Sequence, residues 1–108
     1  MRIIELRQEY LDLTNRILPK KAKEQHLAIR FNHCFQRIIL DTLFQGCWYN
    51  HLNRSSRIPA YQQLNEDQLS RAIAIADQMI EDPQIVEELN RRSLQYRGKL
   101  SITVKTLN

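Results

Sequence analysis

HLAIRFNHCFQRIILDTLFQGCW, residues 26–48, is the most continuously apolar stretch in the chain. At helical spacing Leu27, Phe31, Cys34, Phe35 and Ile38 share one face. From Ile38 onward Ile39, Leu40, Leu43, Phe44, Cys47 and Trp48 carry apolar character round the whole circumference. A helix apolar on every side needs neighbours on every side. The stretch therefore predicts the central helix of a small helical domain, wrapped by the elements before and after it.

The rest of the chain limits what that domain can be. Its 108 residues are enough for one domain with a modest core. Only 2 Gly and 3 Pro argue against a turn-rich all-β fold. The 16 Lys and Arg against 12 Asp and Glu leave a formal charge of +4, which makes an acidic partner plausible without requiring one. Cys34 and Cys47, thirteen positions apart on one expected helix, would be separated by roughly 20 Å, beyond disulfide reach. Buried, reduced thiols and a cytoplasmic setting are the expectation. MRIIELRQEY carries charges every few residues and has no signal-peptide core. Arg37, Asp41 and Gln45 interrupt the best candidate for a membrane span.

In the first helix, expected over Arg2 to Leu18, Ile3, Leu6, Tyr10, Leu13 and Ile17 recur in steps of three and four, with Ile4, Leu11 and Leu18 in an adjoining row. This wide seam can dock on the central helix or on a second copy of the chain. Pro19 is expected to end the helix, leaving Lys20, Lys21 and Lys23 as a basic elbow. Residues 50–64 read as a loop whose Ile58, Ala60, Tyr61 and Leu64 fold back over the core. Asn65, Glu66 and Asp67 announce a third helix lined by Leu69, Ala72, Ile73, Ala76 and Ile80. Asp82 and Pro83 break it and start a fourth, carrying Ile85, Val86, Leu89, Ser93 and Tyr96, with Gly98 at the left-handed stop. Leu100, Ile102 and Val104 then alternate with Ser101, Thr103 and Lys105, a strand-like pattern with no strand to pair with. The fold expected is all-α: a compact four-helix domain over 1–99 around a buried second helix, with a short extended tail at 100–108.

Two sets of residues are candidate sites. His26, Arg30, His33, Arg37 and Asp41 fall at steps of four, three, four and four, so they share one side of the central helix. The plainest reading is a solvated strip with Arg37 and Asp41 as a surface ion pair; the functional one is a ligand- or partner-binding stripe; a third is a buried network. The second set is basic. Helices three and four could form a helix-turn-helix, with Gln84, Asn90, Arg91 and Gln95 on the exposed side of the second; a looser version uses Lys20, Lys21, Lys23, Arg54, Arg57, Arg91, Arg92, Arg97 and Lys99 as a surface contacting backbone. Glu87 and Glu88 in the presumed reading helix, and aromatics that do not alternate with the charges, weigh against it.

A catalytic set is not expected. Neighbouring His33 and Cys34 point about 100° apart on a helix, so one cannot readily serve the other as base. His26, His33, His51, Cys34 and Cys47 lack zinc-ligand spacing, and two glycines make no phosphate loop. The expectation is a small non-catalytic interaction or regulatory module without cofactor or metal. It would bind another protein or itself as a homo-oligomer, with nucleic acid as the alternative and no membrane.

Overall fold

The computed structural model describes residues 2–27, 29 and 31–98. The expected tail, with Lys99 and Arg30, lies outside the described residues. Within them every regular element is helical: α1 (Arg2–Asp12), a π-helical segment (Leu13–Ile17), α2 (Leu18–Glu24), α3 (Asn32–Phe44), α4 (Glu66–Glu81) and α5 (Pro83–Tyr96), with 3-10 turns at Trp48–Asn50 and Ala60–Gln63. Because α1, the π segment and α2 follow one another without a break, the described residues make four helical rods, as expected.

Pro19 does not end the first rod. A proline inside an α-helix lacks the N–H for its hydrogen bond, and its ring meets the carbonyl four residues back. Here the turn before it is widened: the Leu18 N–H donates to the Leu13 carbonyl, five residues away, and Pro19 sits in the first turn of the α-helix that resumes. Lys20, Lys21 and Lys23 are therefore helical residues, not an elbow.

The rod stops at Glu24 through a Schellman closure. The Leu27 N–H donates to the Ala22 carbonyl at 2.9 Å and the His26 N–H to the Lys23 carbonyl at 3.2 Å, while His26 takes φ 58°. The central helix consequently begins at Asn32, six residues later than the apolar run suggests. Its far end repeats the device: the Gly46 N–H donates to the Asp41 carbonyl at 3.1 Å, the Gln45 N–H to the Thr42 carbonyl at 3.2 Å, and Gln45 takes φ 53°. Cys47 and Trp48 lie beyond the helix.

Shortened at both ends, α3 is still the enclosed rod. Phe35, Ile38 and Ile39 are fully buried and Leu40 nearly so, with α2, the π segment, α4, α5 and the Trp48–Asn50 turn packed around them. Leu43 and Phe44 are half-buried. Phe31, expected on the buried face, precedes the helix and is 64% exposed. The α1 seam is used within the chain, since α1 packs on α4 and buries Leu6 and Tyr10. On α4, Ala72 and Ala76 are fully buried, as small residues at a close helix crossing should be.

Both expected helix starts are present. Asn65 Oδ1 accepts the Gln68 N–H at 2.8 Å while Gln68 returns its Oε1 to the Asn65 N–H at 2.9 Å. Asp82 caps Gln84, with Pro83 in the first turn. The Gln63 side chain ties down the loop through bonds to Asn53 and Ile58, Leu64 is buried and Ile58 exposed, and Tyr61 stacks on Tyr10 at 6.0 Å.

Two outcomes follow. A non-glycine residue in the left-handed region costs roughly 1–2 kcal/mol, so Gln45→Gly should raise unfolding stability by about 0.5–1 kcal/mol in urea titration, after glycine's extra unfolded-state entropy is subtracted. Destabilisation would contradict the closure described here. Burial raises the pKa of Tyr10, so its stabilising effect is complete below the unfolded-state pKa of about 10 and declines as pH climbs above it. In an alkaline titration the Tyr10 phenolate should form only with cooperative loss of helical circular dichroism.

Candidate functional site

Asp41 is the polar residue that the apolar run should not tolerate, and it is fully buried. An ionised carboxylate without solvent must have its lone pairs filled by strong donors. They are filled here from two elements. Oδ2 accepts the Ser93 hydroxyl at 2.5 Å and Arg97 Nε at 2.8 Å; Oδ1 accepts Arg97 Nη2 at 3.1 Å and the Trp48 backbone N–H at 3.0 Å. The forked guanidinium suits a carboxylate in this two-point arrangement. Arg97, its side chain 12% exposed, is held above the usual arginine pKa by these bonds, against the opposing effect of its partial burial.

Arg37 joins one step away. Its Nη1 donates to Ser93 Oγ at 2.6 Å and its Nη2 to Asn90 Oδ1 at 2.8 Å. The surface pair of Arg37 with Asp41 is therefore replaced by a buried network, with the Ser93 hydroxyl between the two charges. Arg37 and Asp41 lie four apart on α3; Asn90 and Ser93 on α5, with Arg97 just past its C-terminal end, three and four apart, face them.

Above the network stands the aromatic turn that it anchors. Trp48 and Tyr49 meet edge to face at 4.8 Å. Two guanidinium groups lie against the Tyr49 ring, Arg54 at 4.1 Å and Arg97 at 4.6 Å from its centroid. Tyr49 separates two hollows. One, of about 270 Å³, is lined by His33, Arg37, Leu40 and Trp48 among others; the second, of about 380 Å³, by Cys47, Arg54 and Arg97. Arg97 thus joins the carboxylate of Asp41 to the Tyr49 ring, Arg37 reaches that carboxylate through Ser93, and Arg54 meets the ring from the loop.

The expected stripe is broken up. His33, Arg37 and Asp41 do lie along α3, whereas His26 belongs to the closure of α2 and is exposed; Arg30 lies outside the described residues. Of the basic set, Arg54 and Arg97 come together at Tyr49. Arg57 and Gln95 are exposed elsewhere, on the loop and on α5, and Lys99 is outside the described residues. Arg91 and Arg92 both bind Glu88, at 2.6 and 2.9 Å, and hold its carboxyl below the usual range. Ser93, Trp48 and Tyr49 stand outside both expected sets, and Asn90, expected on the exposed side of the fourth helix, is half-buried against Arg37. Ser93 carried the available signal: a hydroxyl on the buried stripe of α5, matching the buried acid on α3.

Cys34 and Cys47 are free and half-buried. Among the described residues no three His, Cys, Asp or Glu side chains group closely enough to share a metal ion, and no helix is long and apolar enough to cross a membrane. Comparison with protein-family models, with curated proteins and with solved structures returned no match.

Leaving Asp41 buried without its cation should be costly. Arg97→Met, which keeps the aliphatic stem, is expected to cost about 3–5 kcal/mol of unfolding free energy. Arg71→Met, which breaks the exposed pair of Arg71 with Asp67, should cost less than about 1 kcal/mol. Equal losses in denaturant titrations would contradict the role given to Asp41.

Proposed function

We propose that the chain is a non-catalytic interaction module that docks an acidic segment of a partner protein on the face around Tyr49. The observation that carries this reading is the arrangement of Arg54 and Arg97 against the Tyr49 ring, with Asp41 the one carboxylate in the cluster and Arg37 bound to neutral oxygens. Such a face has a surplus of positive charge, a partly exposed aromatic group and positions fixed by the network beneath it. Tyrosine and arginine in that combination are the residues that most often anchor protein interfaces. Free cysteines fit a reducing, cytoplasmic setting.

The nucleic-acid reading draws less support. Glu88 neutralises Arg91 and Arg92, and α4 joins α5 through the single residue Asp82, shorter than the three or four residues of a helix-turn-helix. Self-association likewise gains nothing from the α1 seam, which α4 covers; Ile4 is left exposed beside it.

Fluorescence anisotropy with a labelled glutamate-rich peptide and, separately, a labelled single-stranded DNA of equal length tests the reading. The peptide should bind, weaken with added salt, and lose about five- to tenfold in affinity with Arg54→Gln. Arg91→Gln combined with Arg92→Gln removes more charge and should change affinity by less than about twofold. Tighter binding of the DNA, or dependence on Arg91 and Arg92 in place of Arg54, would overturn the assignment.

A further inference from the structure

The hollow on the Arg37 side of Tyr49 has a chemistry of its own. Its volume is about 270 Å³, and Leu40 and Ala60 supply apolar wall beside the Trp48 and Tyr49 rings. Polar groups come from one element: His33, Gln36 and Arg37 all stand on α3. His33 and Arg37 are four apart and so project from successive turns of one face.

Arg37 sets the charge of this hollow. Its side chain is half-buried, and the bonds at its two Nη atoms go to Ser93 Oγ and Asn90 Oδ1, both neutral. The carboxylate nearest in the network, Asp41, has both oxygens occupied by Arg97, Ser93 and the Trp48 N–H. A guanidinium carries five N–H groups. Two are used, and three remain on a cation whose charge is met, among the described residues, by neutral acceptors alone. Half-buried cations are stabilised most by an anion able to accept two parallel hydrogen bonds. The aromatic walls favour a flat apolar body next to that anion.

We propose that this hollow binds a small aromatic carboxylate, the acid group paired with Arg37 and the ring lying against Trp48 and Tyr49. The assignment shares the Tyr49 ring with the partner-binding reading but takes its charge from Arg37, not from Arg54 in the neighbouring hollow.

Trp48 is the chain's only tryptophan, so its emission reports on the site directly. Benzoate, benzamide and acetate would be titrated into the full chain: the first has ring and charge, the second the ring, the third the charge. Benzoate should give a saturable change in Trp48 emission at concentrations at least about tenfold below those needed for either of the others. In the unmodified protein, the Arg37 Nε–H and Trp48 indole N–H resonances should move together along the same benzoate titration, a readout independent of any folding defect. Arg37→Gln should then weaken benzoate by about tenfold or more, and Arg71→Gln, on the exposed side of α4 away from the hollow, should leave it unchanged. The proposal is overturned by a linear, non-saturating response, by equal affinity for benzamide, or by a Trp48 response with Arg37 Nε–H unmoved. Phenyl phosphate binding more tightly than benzoate would overturn the carboxylate assignment in favour of a phosphate.

Discussion

Burying the carboxylate of Asp41 in the middle of the central helix constrains everything around it. Once α3 is enclosed by the other helices, that oxygen pair has no water to turn to. It is satisfied by the Ser93 hydroxyl, the Arg97 guanidinium and the Trp48 N–H. Each donor fixes a different part of the molecule. Ser93 and Arg97 fix the register of α5 on α3, because a slip of one turn would move both away from Asp41 and leave a buried charge unpaired. The Trp48 N–H fixes the turn that follows α3, and with it the aromatic pair on the surface. Apolar packing alone tolerates sliding far better than a fully bonded polar cluster does.

That interior arrangement accounts for the exterior. Arg97 serves twice, binding Asp41 inside and lying against Tyr49 outside. Arg54, from the loop, reaches the same ring, and that loop is held in place by the Gln63 side chain. A long, flexible cation usually loses much of its binding contribution to side-chain entropy. Here that loss falls mainly in folding, since Arg37 and Arg97 are already fixed by hydrogen bonds before any partner arrives. The face is pre-organised, and its positive surplus originates in α3, α5 and the loop together.

The number of helices, the enclosure of residues 32–44 and the caps at Asn65 and Asp82 could all be read from residue pattern, because each depends on local chemistry or on simple periodicity. The ends of α2 and α3 could not. Both close with a left-handed residue, His26 and Gln45, where glycine is the usual signal; only Gly98 announces its stop in the expected way. Pro19 misled for a related reason, since the π segment that accommodates it has no sequence signature comparable to proline's own. The site was legible in halves. Arg37 and Asp41 stand out on α3, but their true partners lie more than fifty positions away on α5, and periodicity within one helix carries no information about which polar residue faces another across a packing interface. Likewise the basic and aromatic residues do not alternate along the chain, yet Tyr49, Arg54 and Arg97 meet in space.

The most direct test of the account is native-state hydrogen exchange at the Trp48 amide. Trp48 follows the end of α3 in a short turn, where backbone N–H groups ordinarily exchange through local opening, but its amide is bonded to the buried carboxylate of Asp41. The account predicts protection comparable to that of Ile39 in the centre of α3, governed by global unfolding. Exchange as fast as in the neighbouring residues of the 51–59 loop would show that Asp41 does not hold the turn, and would contradict the account.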